Sequence, residues 1–594
     1  MDYCPVSTDE EFKAARAEAL RLLLASDSQW KVLIAGPGTG KTHSFGELID
    51  QAEGKTLVIS FLGNLVQDLA QSLGNRARVC TFHSFCKNQL HKLDIAGITH
   101  DVDYYPTFLS IVDEDLDVVL PAYASGSIET AYVLLDDSGG LVTRGLTIGN
   151  YYNAAGHVDS VYRVFKTYAA APRLVPGYAQ VLVDEYQDFN LLEVSLIELL
   201  TKQASAVIAG DDDQALYGFK KASSKYLRGL TRRADFERFD LPYCSRCTSV
   251  LVDAIHRVVE CAQRQGLLAE RIEKPYWCYL PEKRRASERY PKIIDAHCSV
   301  ENNNANYMCR YIEQQILKRV TAIDIEQSRR KGYPTVLVIA PVEFGKRVYK
   351  HLTEQGMPNV TLKTSAVCEV ELLDGYLRLM DDERSRLGWR ILVHLLKPAG
   401  WRKAVRKALT DSEELVDLLD EGFVADQLEI VTALGRGYAG EDPSDVEVNL
   451  IEQALGIPVT DIFETEDEEE LEGECDLVEE AGPSEAERPT VWITSLVGAK
   501  GLQAEHVFVA GMNDRHFPRL NSSVTEDEIC MLLVALTRAR QSCDLISCGR
   551  FGGQALGRSV FLRWLSPLTQ YVRVDAEYWR RAAARAAEKS QQSN

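Results

Sequence analysis

Residues 31–42 read KVLIAGPGTGKT, and this stretch limits the possible folds more than any other. Four apolar residues, 32–35, run into a loop carrying Gly36, Gly38 and Gly40, then Lys41 and Thr42. A buried strand, a glycine-rich turn and a helix N-terminus in direct succession make a phosphate cradle. Glycines let backbone N–H groups wrap an anion. Lys41 would reach the β/γ oxygens, and the Thr42 hydroxyl would take a Mg2+ position. The candidate nucleotide-binding set is therefore Gly36, Pro37, Gly38, Thr39, Gly40, Lys41, Thr42 and His43.

Residues 181–188 read VLVDEYQD. Three apolar residues predict a strand buried in a parallel sheet. Asp184, at its C-terminal end, is a candidate Mg2+ ligand. Glu185 is placed to orient or deprotonate an attacking water.

Residues 184–188 (DEYQD) resemble the DExQD motif of superfamily 1 helicases of the UvrD/Rep type, PcrA-like proteins included. The family's other motifs follow in order. Residues 59–64 (ISFLGN), 81–85 (TFHSF), 210–214 (GDDDQ) with Tyr217 and Phe219, 241–248 (LPYCSRCT), 495–502 (SLVGAKGL) and 534–540 (VALTRAR) each resemble one. The resemblance implies an α/β fold: two RecA-like P-loop NTPase lobes with parallel sheets, each interrupted by an inserted, mainly helical domain. It implies a catalytic set of Lys41, Glu185, Gln214, Arg246 and Arg538, with ATP and Mg2+ as cofactors and Thr42 and Asp184 as metal ligands. It also implies strand contacts by Phe61, Thr81, His83, Tyr217 and Phe219, where aromatic rings would stack on bases. Several positions depart from the family pattern. Ser245 replaces a Tyr, His43 an Arg, Val497 a His and Gln503 a Glu, and the adenine-reading Gln is unassigned.

Strand-then-helix units recur around these motifs, which is an α/β reading. The expected organisation is a first lobe of residues 1–90 and 165–245 with an insertion at 91–164. A second lobe spans 246–372 and 488–575, with a short insertion at 373–487, and a basic Ala-rich tail covers 576–594.

The chain of 594 residues carries a net charge of −21, which argues against bulk basicity as its means of holding nucleic acid. The acidity is local, since thirteen Asp/Glu and no Lys or Arg lie in residues 464–487. Such a run reads as a solvated linker, with a nucleic-acid mimic as the other reading. Basic clusters at Lys220, Lys221, Lys225, Arg228, Arg232 and Arg233, and at Arg390, Lys397, Arg402, Lys403, Arg406 and Lys407, are candidate phosphate contacts. A lone CxxC, Cys244 and Cys247, lies near Cys261 and Cys278; a metal site would need four ligands in suitable geometry. No apolar run approaches the ~20 residues of a membrane span, and the acidic start is unlike a signal peptide. Scattered cysteines fit a reducing compartment, so a cytoplasmic, nucleoid-associated protein is expected.

The leading expectation is an ATP-driven single-stranded DNA translocase and helicase acting on single strands or tailed duplexes, 3′-to-5′ by resemblance. Its setting would be repair, recombination or defence against mobile DNA. Two alternatives stay open. One is a DNA-dependent motor that remodels protein–DNA complexes or drives a nuclease or repair partner without unwinding alone. The other is a nucleotide-gated scaffold. RNA is also open as the strand, because stacking and phosphate contacts tolerate a 2′-OH.

Overall fold

A computed structural model describes residues 8–60, 76–299, 307–363, 370–441, 443–463 and 488–592. Phe61 and the acidic run 464–487 lie outside the described residues.

Two parallel sheets carry the architecture. The first contains β1 (Trp30–Ala35), β2 (Thr56–Ser60), β3 (Ala77–Thr81), β4 (Gln180–Val183), β5 (Ser205–Gly210) and β6 (Glu237–Leu241). Their spatial order is β3-β2-β4-β5-β1-β6, every pair parallel. Val32 to Ala35, Leu57 to Ile59 and Val181 to Val183 are all buried, because helices cover both faces. Burial on both faces explains why these strands read as unbroken apolar runs. Each fully buried Val, Leu or Ile stabilises the sheet by about 1.5–3 kcal/mol relative to exposure.

The second sheet contains β7 (Ile293–Cys298), β8 (Val336–Ile339), β9 (Val360–Leu362), β10 (Val491–Thr494), β11 (Ala504–Ala510), β12 (Ala539–Cys548) and β13 (Thr569–Val574). Its order is β9-β10-β8-β11-β12-β7-β13, again parallel throughout. In the first sheet the loops after the C-terminal ends of β1, β4 and β5 carry residues 36–40, 184–188 and 211–214 to the cleft, where they meet Lys500 and Arg538, which precede the N-terminal ends of β11 and β12. Ligand sites of open parallel sheets form at such strand ends.

Two helical groups interrupt the sheets. Between β3 and β4 come Phe108–Val119, Ser127–Val133, Leu141–Tyr152 and His157–Ala170, whose buried Phe108, Ile111, Leu116 and Val164 continue the core of the first lobe. Between β9 and β10 come Leu372–Asp381, Arg386–Leu396, Trp401–Asp411, Glu421–Tyr438, Asp445–Leu455 and Val459–Phe463. These pack around Trp389, Leu392, Val405 and Leu434.

The second helical group is joined by sequence to the second sheet but docks on the first helical group. Arg390, fully buried, donates to Asp115 at 2.7 Å and to Glu114 at 2.7 Å. His394 meets Glu114 at 2.7 Å, Arg402 meets Asp117 at 2.6 Å and Arg378 meets Asp103 at 2.5 Å. Arg406 donates to the Val118 carbonyl at 2.6 Å. This corrects the phosphate-binding reading of the cluster from Arg390 to Lys407. Its charges match the acidic helix Phe108–Val119, and Lys397 (Glu114, 3.1 Å) and Lys407 (Glu413, 2.8 Å) are also paired. The other basic cluster is divided. Arg228 is held by Asp212 at 3.1 Å and Arg233 by Asp235 at 2.6 Å, while Lys220, Lys221 and Lys225 stay exposed.

Candidate nucleotide site and strand surface

Strand β1 delivers residues 36–40 to the mouth of the cleft, and the helix Lys41–Gln51 leaves from them. Gly38 (φ +70°) and Gly40 (φ +104°) are left-handed, which a side chain resists. Close approach adds a second reason for Gly38. A Cβ there would lie 2.5 Å from the Arg246 Cβ. The Gly38 carbonyl accepts from the backbone N–H and the hydroxyl of Ser245, both at 2.9 Å. The Pro37 carbonyl accepts from the Tyr276 hydroxyl at 2.8 Å and the Cys244 thiol at 3.2 Å. The segment that carries Arg246 thus lies directly on the loop. Thr39 turns inward, its hydroxyl bonded to the Gly36 carbonyl at 2.9 Å, whereas Thr42 and His43 are exposed.

Lys41 Nζ sits 2.7 Å from Glu185 and 3.6 Å from Asp184. Burial opposes the charge on Lys41, but Glu185 and Asp184 outweigh it and hold its pKa above the ordinary lysine value. Burial likewise opposes ionisation of Glu185, and Lys41 with Lys500 outweighs it, so this carboxyl stays below the usual range. Asp184 shifts upward through burial. Lys41 and Lys500 thus hold Glu185 in its ionised form. It adopts φ +54°, uncommon for a non-glycine, and its other oxygen accepts from Gln187 at 2.5 Å.

From the second lobe, Lys500 reaches across the cleft. Its Nζ bonds Asp188 and the Gln214 carbonyl (2.8 Å), lies 3.6 Å from Glu185 and stands 5.5 Å over the Tyr217 ring. Arg538, almost fully buried, donates to the Gln214 side chain at 3.2 Å and to the Leu502 carbonyl at 3.1 Å. Burial lowers its pKa to about 9, with the Arg246 charge second. The fold thus brings Lys41, Asp184, Glu185, Gln214 and Arg538 into one connected cluster, with Arg246 alongside on Gly38. Lys500 is absent from the candidate residues named from the sequence, although it is the lysine of the AKGL motif. A lysine inside a motif carries no sign of its partner. Gln503 accepts from Arg540 at 3.0 Å.

Asp211, Asp212 and Asp213 are the one group of three potential metal ligands within coordination range among the described residues. Lys274 already bonds Asp211 (2.7 Å) and Asp212 (2.6 Å), and Arg271 bonds Asp213 at 2.7 Å, so this is an ion-pair core. Neither basic residue stands out in the sequence. Cys244, Cys247, Cys261 and Cys278 form no such group among the described residues. Both CxxC thiols instead face the Tyr276 hydroxyl, at 3.0 and 3.8 Å.

Tyr217 and Phe219, the candidate strand contacts, are 5.9 Å apart, and Phe219 is 65% exposed. Lys220 lies 5.6 Å over Tyr217. Thr81 caps the helix Phe82–Leu90, accepting from the Ser84 N–H at 3.2 Å. His83 is stacked on His157 of the first insertion, ring centres 4.4 Å apart. Burial, then the neighbouring His157 and Lys220, lowers its pKa to about 3, so it stays neutral. His157 in turn bonds the Tyr104 hydroxyl at 2.7 Å.

Residues 18–220 match the family model described as an AAA domain. The chain is 24% identical to DNA helicase II of Escherichia coli (strain K12) over 66% of its own length and 60% of that protein's. It is 24% identical to ATP-dependent DNA helicase UvrD1 of Mycobacterium tuberculosis (strain ATCC 25618 / H37Rv), covering 86% of this chain and 79% of the relative. It is 21% identical to ATP-dependent DNA helicase PcrA of Leuconostoc citreum, over 65% of this chain and 57% of the relative. The chain thus spans 60% of the length of the Escherichia coli relative and 57% of the Leuconostoc citreum one.

Proposed function

We propose that this chain, similar to helicases of the UvrD/Rep type, is a superfamily 1 helicase that hydrolyses ATP to move 3′-to-5′ along single-stranded DNA and to unwind tailed duplexes. One observation supports this most. Lys41, Glu185 and Gln214 of the first lobe and Lys500 and Arg538 of the second form one bonded chain across the cleft, ending under Tyr217.

In this proposal the backbone of residues 36–40 and Lys41 hold the phosphates. Ionised Glu185 takes the proton of the attacking water. Arg246 and Arg538 stabilise charge on the transferring phosphoryl group only when the lobes close, which ties hydrolysis to closure. The Thr42 hydroxyl and Asp184 carboxylate are hard oxygen donors that suit Mg2+, which when bound neutralises phosphate charge. Tyr217 and Phe219 stack on bases, with Thr81 and His83 beside them. The working units are the first lobe, 1–90 and 165–245, the second lobe, 246–372 and 488–575, and the insertions 91–164 and 373–487. No helix among the described residues is long and apolar enough to cross a membrane. A cytoplasmic, nucleoid-associated site of action in repair, recombination or mobile-DNA defence fits this reading.

A second reading has its own support. The docking of the second insertion on the first ties up most of the basic side chains of the stretch around Arg390, which a duplex-gripping arm would need. The chain would then be a motor that strips proteins from DNA or drives a nuclease partner. Strand displacement on 3′-tailed, 5′-tailed and blunt duplexes, with an RNA control and oligo(dT)-stimulated ATPase in parallel, decides. Displacement of the 3′-tailed substrate alone supports the helicase reading. Stimulated hydrolysis without displacement supports the second, and hydrolysis indifferent to DNA contradicts both.

A further inference from the structure

One cation beside the nucleotide site has no part in the chemistry proposed above. His43 stands where the family carries an Arg, and it is exposed, with Nδ1 4.0 Å from Glu47. On the first-lobe side of the loop Lys41 alone remains, and its ammonium is already engaged by Glu185. A triphosphate carries more negative charge than one shared lysine can match.

The helix Asp9–Ala25 supplies the missing group. Phe12, Arg16, Ala19 and Leu23 fall at helical spacing on one face. Leu23 is fully buried in the cluster containing Leu33 and Phe45, and Ala19 packs against it. Phe12 is buried against Tyr243 (5.8 Å) and Tyr279 (6.5 Å). A capping box between Thr8 and Glu11 fixes the start of the helix. Arg16 is therefore held between two anchored points, and its direction is set by packing. Its guanidinium lies 5.3 Å over the Tyr279 ring. One of its nitrogens is 3.0 Å from where a side chain on Gly40 would begin. Among the described residues no carboxylate, carbonyl or hydroxyl is bonded to it. Arg163, Arg228, Arg271 and Arg390, by contrast, each meet a carboxylate.

We propose that Arg16, shelved on Tyr279 beside Gly40, is a phosphate contact for the bound nucleoside triphosphate, replacing the cation that His43 cannot supply. The inference rests on the nucleotide-site reading above. A planar guanidinium offers paired donors to phosphate oxygens, and a stacked one loses little freedom in doing so. Gly40 caps the helix Lys41–Gln51, so the donors lie beside the positive end of its dipole, where phosphates gather. A contact of this kind does not distinguish bases.

The test compares the full-length chain with Arg16→Met, Arg16→Lys and Tyr279→Leu in oligo(dT)-stimulated hydrolysis. It reads the KM for ATP, and inhibition by inorganic tripolyphosphate, which has no base. Losing one charge-assisted bond is expected to raise the KM and the tripolyphosphate inhibition constant together by about tenfold or more, the larger part of the effect falling on KM. Arg16→Lys should recover part of it. Tyr279→Leu should give a smaller rise in both constants, and it keeps the test alive should Arg16→Met fold poorly. Unchanged constants in Arg16→Met would overturn the proposal. So would a raised KM with unchanged tripolyphosphate inhibition, which would make Arg16 a base contact. Absence of hydrolysis by the unaltered chain would instead remove the nucleotide-site reading itself.

Discussion

Glu185 shows how firmly one side chain is held by its neighbours. Its backbone sits at φ +54°, a conformation that costs about 1–3 kcal/mol in a non-glycine residue and persists only when its surroundings over-determine it. Lys41, Gln187 and Lys500 do so. Under the proposed function, Lys41→Ala and Glu185→Gln reduce DNA-stimulated hydrolysis by at least a hundredfold in a phosphate-release assay; normal rates would remove both from the site. Glu193 tests the buried charges independently. It closes the capping box at Asn190, and burial raises its pKa to about 7 from 4.5. A folded-state pKa above the unfolded value means that the protonated form is favoured by folding. The contribution is fully present below about pH 4.5 and is lost as pH rises through 7. Urea titrations should show the chain losing up to about 3 kcal/mol between pH 4.5 and 8, a loss Glu193→Gln should largely remove. Parallel pH profiles for the two proteins would contradict this.

At the scale of elements, legibility followed burial. β1, β4, β5 and β8 are central strands whose apolar runs announce them. β6 (ERFDL) and β13 (TQYVRV) are edge strands with exposed polar positions, and neither pattern separates a strand from a loop. β12 hid for a different reason. Its sequence, ARQSCDLISC, carries Asp544 at a fully buried position, satisfied by Tyr311 at 2.7 Å and by Arg319. A buried carboxylate reads as a surface residue until its distant partners are known. The basic stretch around Arg390 misled similarly, since its acids lie some 275 residues earlier. That pairing predicts a measurable cost. Arg390→Met leaves the buried Asp115 without its charged partner and should destabilise by about 3–5 kcal/mol, while Arg390→Met with Asp115→Leu should recover much of the loss. Chemical denaturation of both variants checks it, and equal loss in single and double variants would count against a specific pair.

Over the whole molecule, the negative charge and the expected nucleic-acid chemistry are compatible because they are segregated. Thirteen of the excess acids lie in residues 464–487, and further acids are consumed internally at Asp211–Asp213, Glu114 and Asp115. The ATP-site motifs were readable because each is short and contiguous. What no motif displayed is the connection between them, made where Lys500 and Arg538 meet Asp188 and Gln214; in the proposed function it forms as two lobes close. The central claim is that this closure couples hydrolysis to a single strand lying on Tyr217 and Phe219. The most direct measurement is the ATP hydrolysis rate with and without oligo(dT), for the unaltered chain and for Tyr217→Ala/Phe219→Ala. The account predicts strong stimulation by oligo(dT), with half-maximal stimulation in the double variant shifted to at least tenfold higher oligo(dT). The same hydrolysis rate with and without oligo(dT) in the unaltered chain would contradict it.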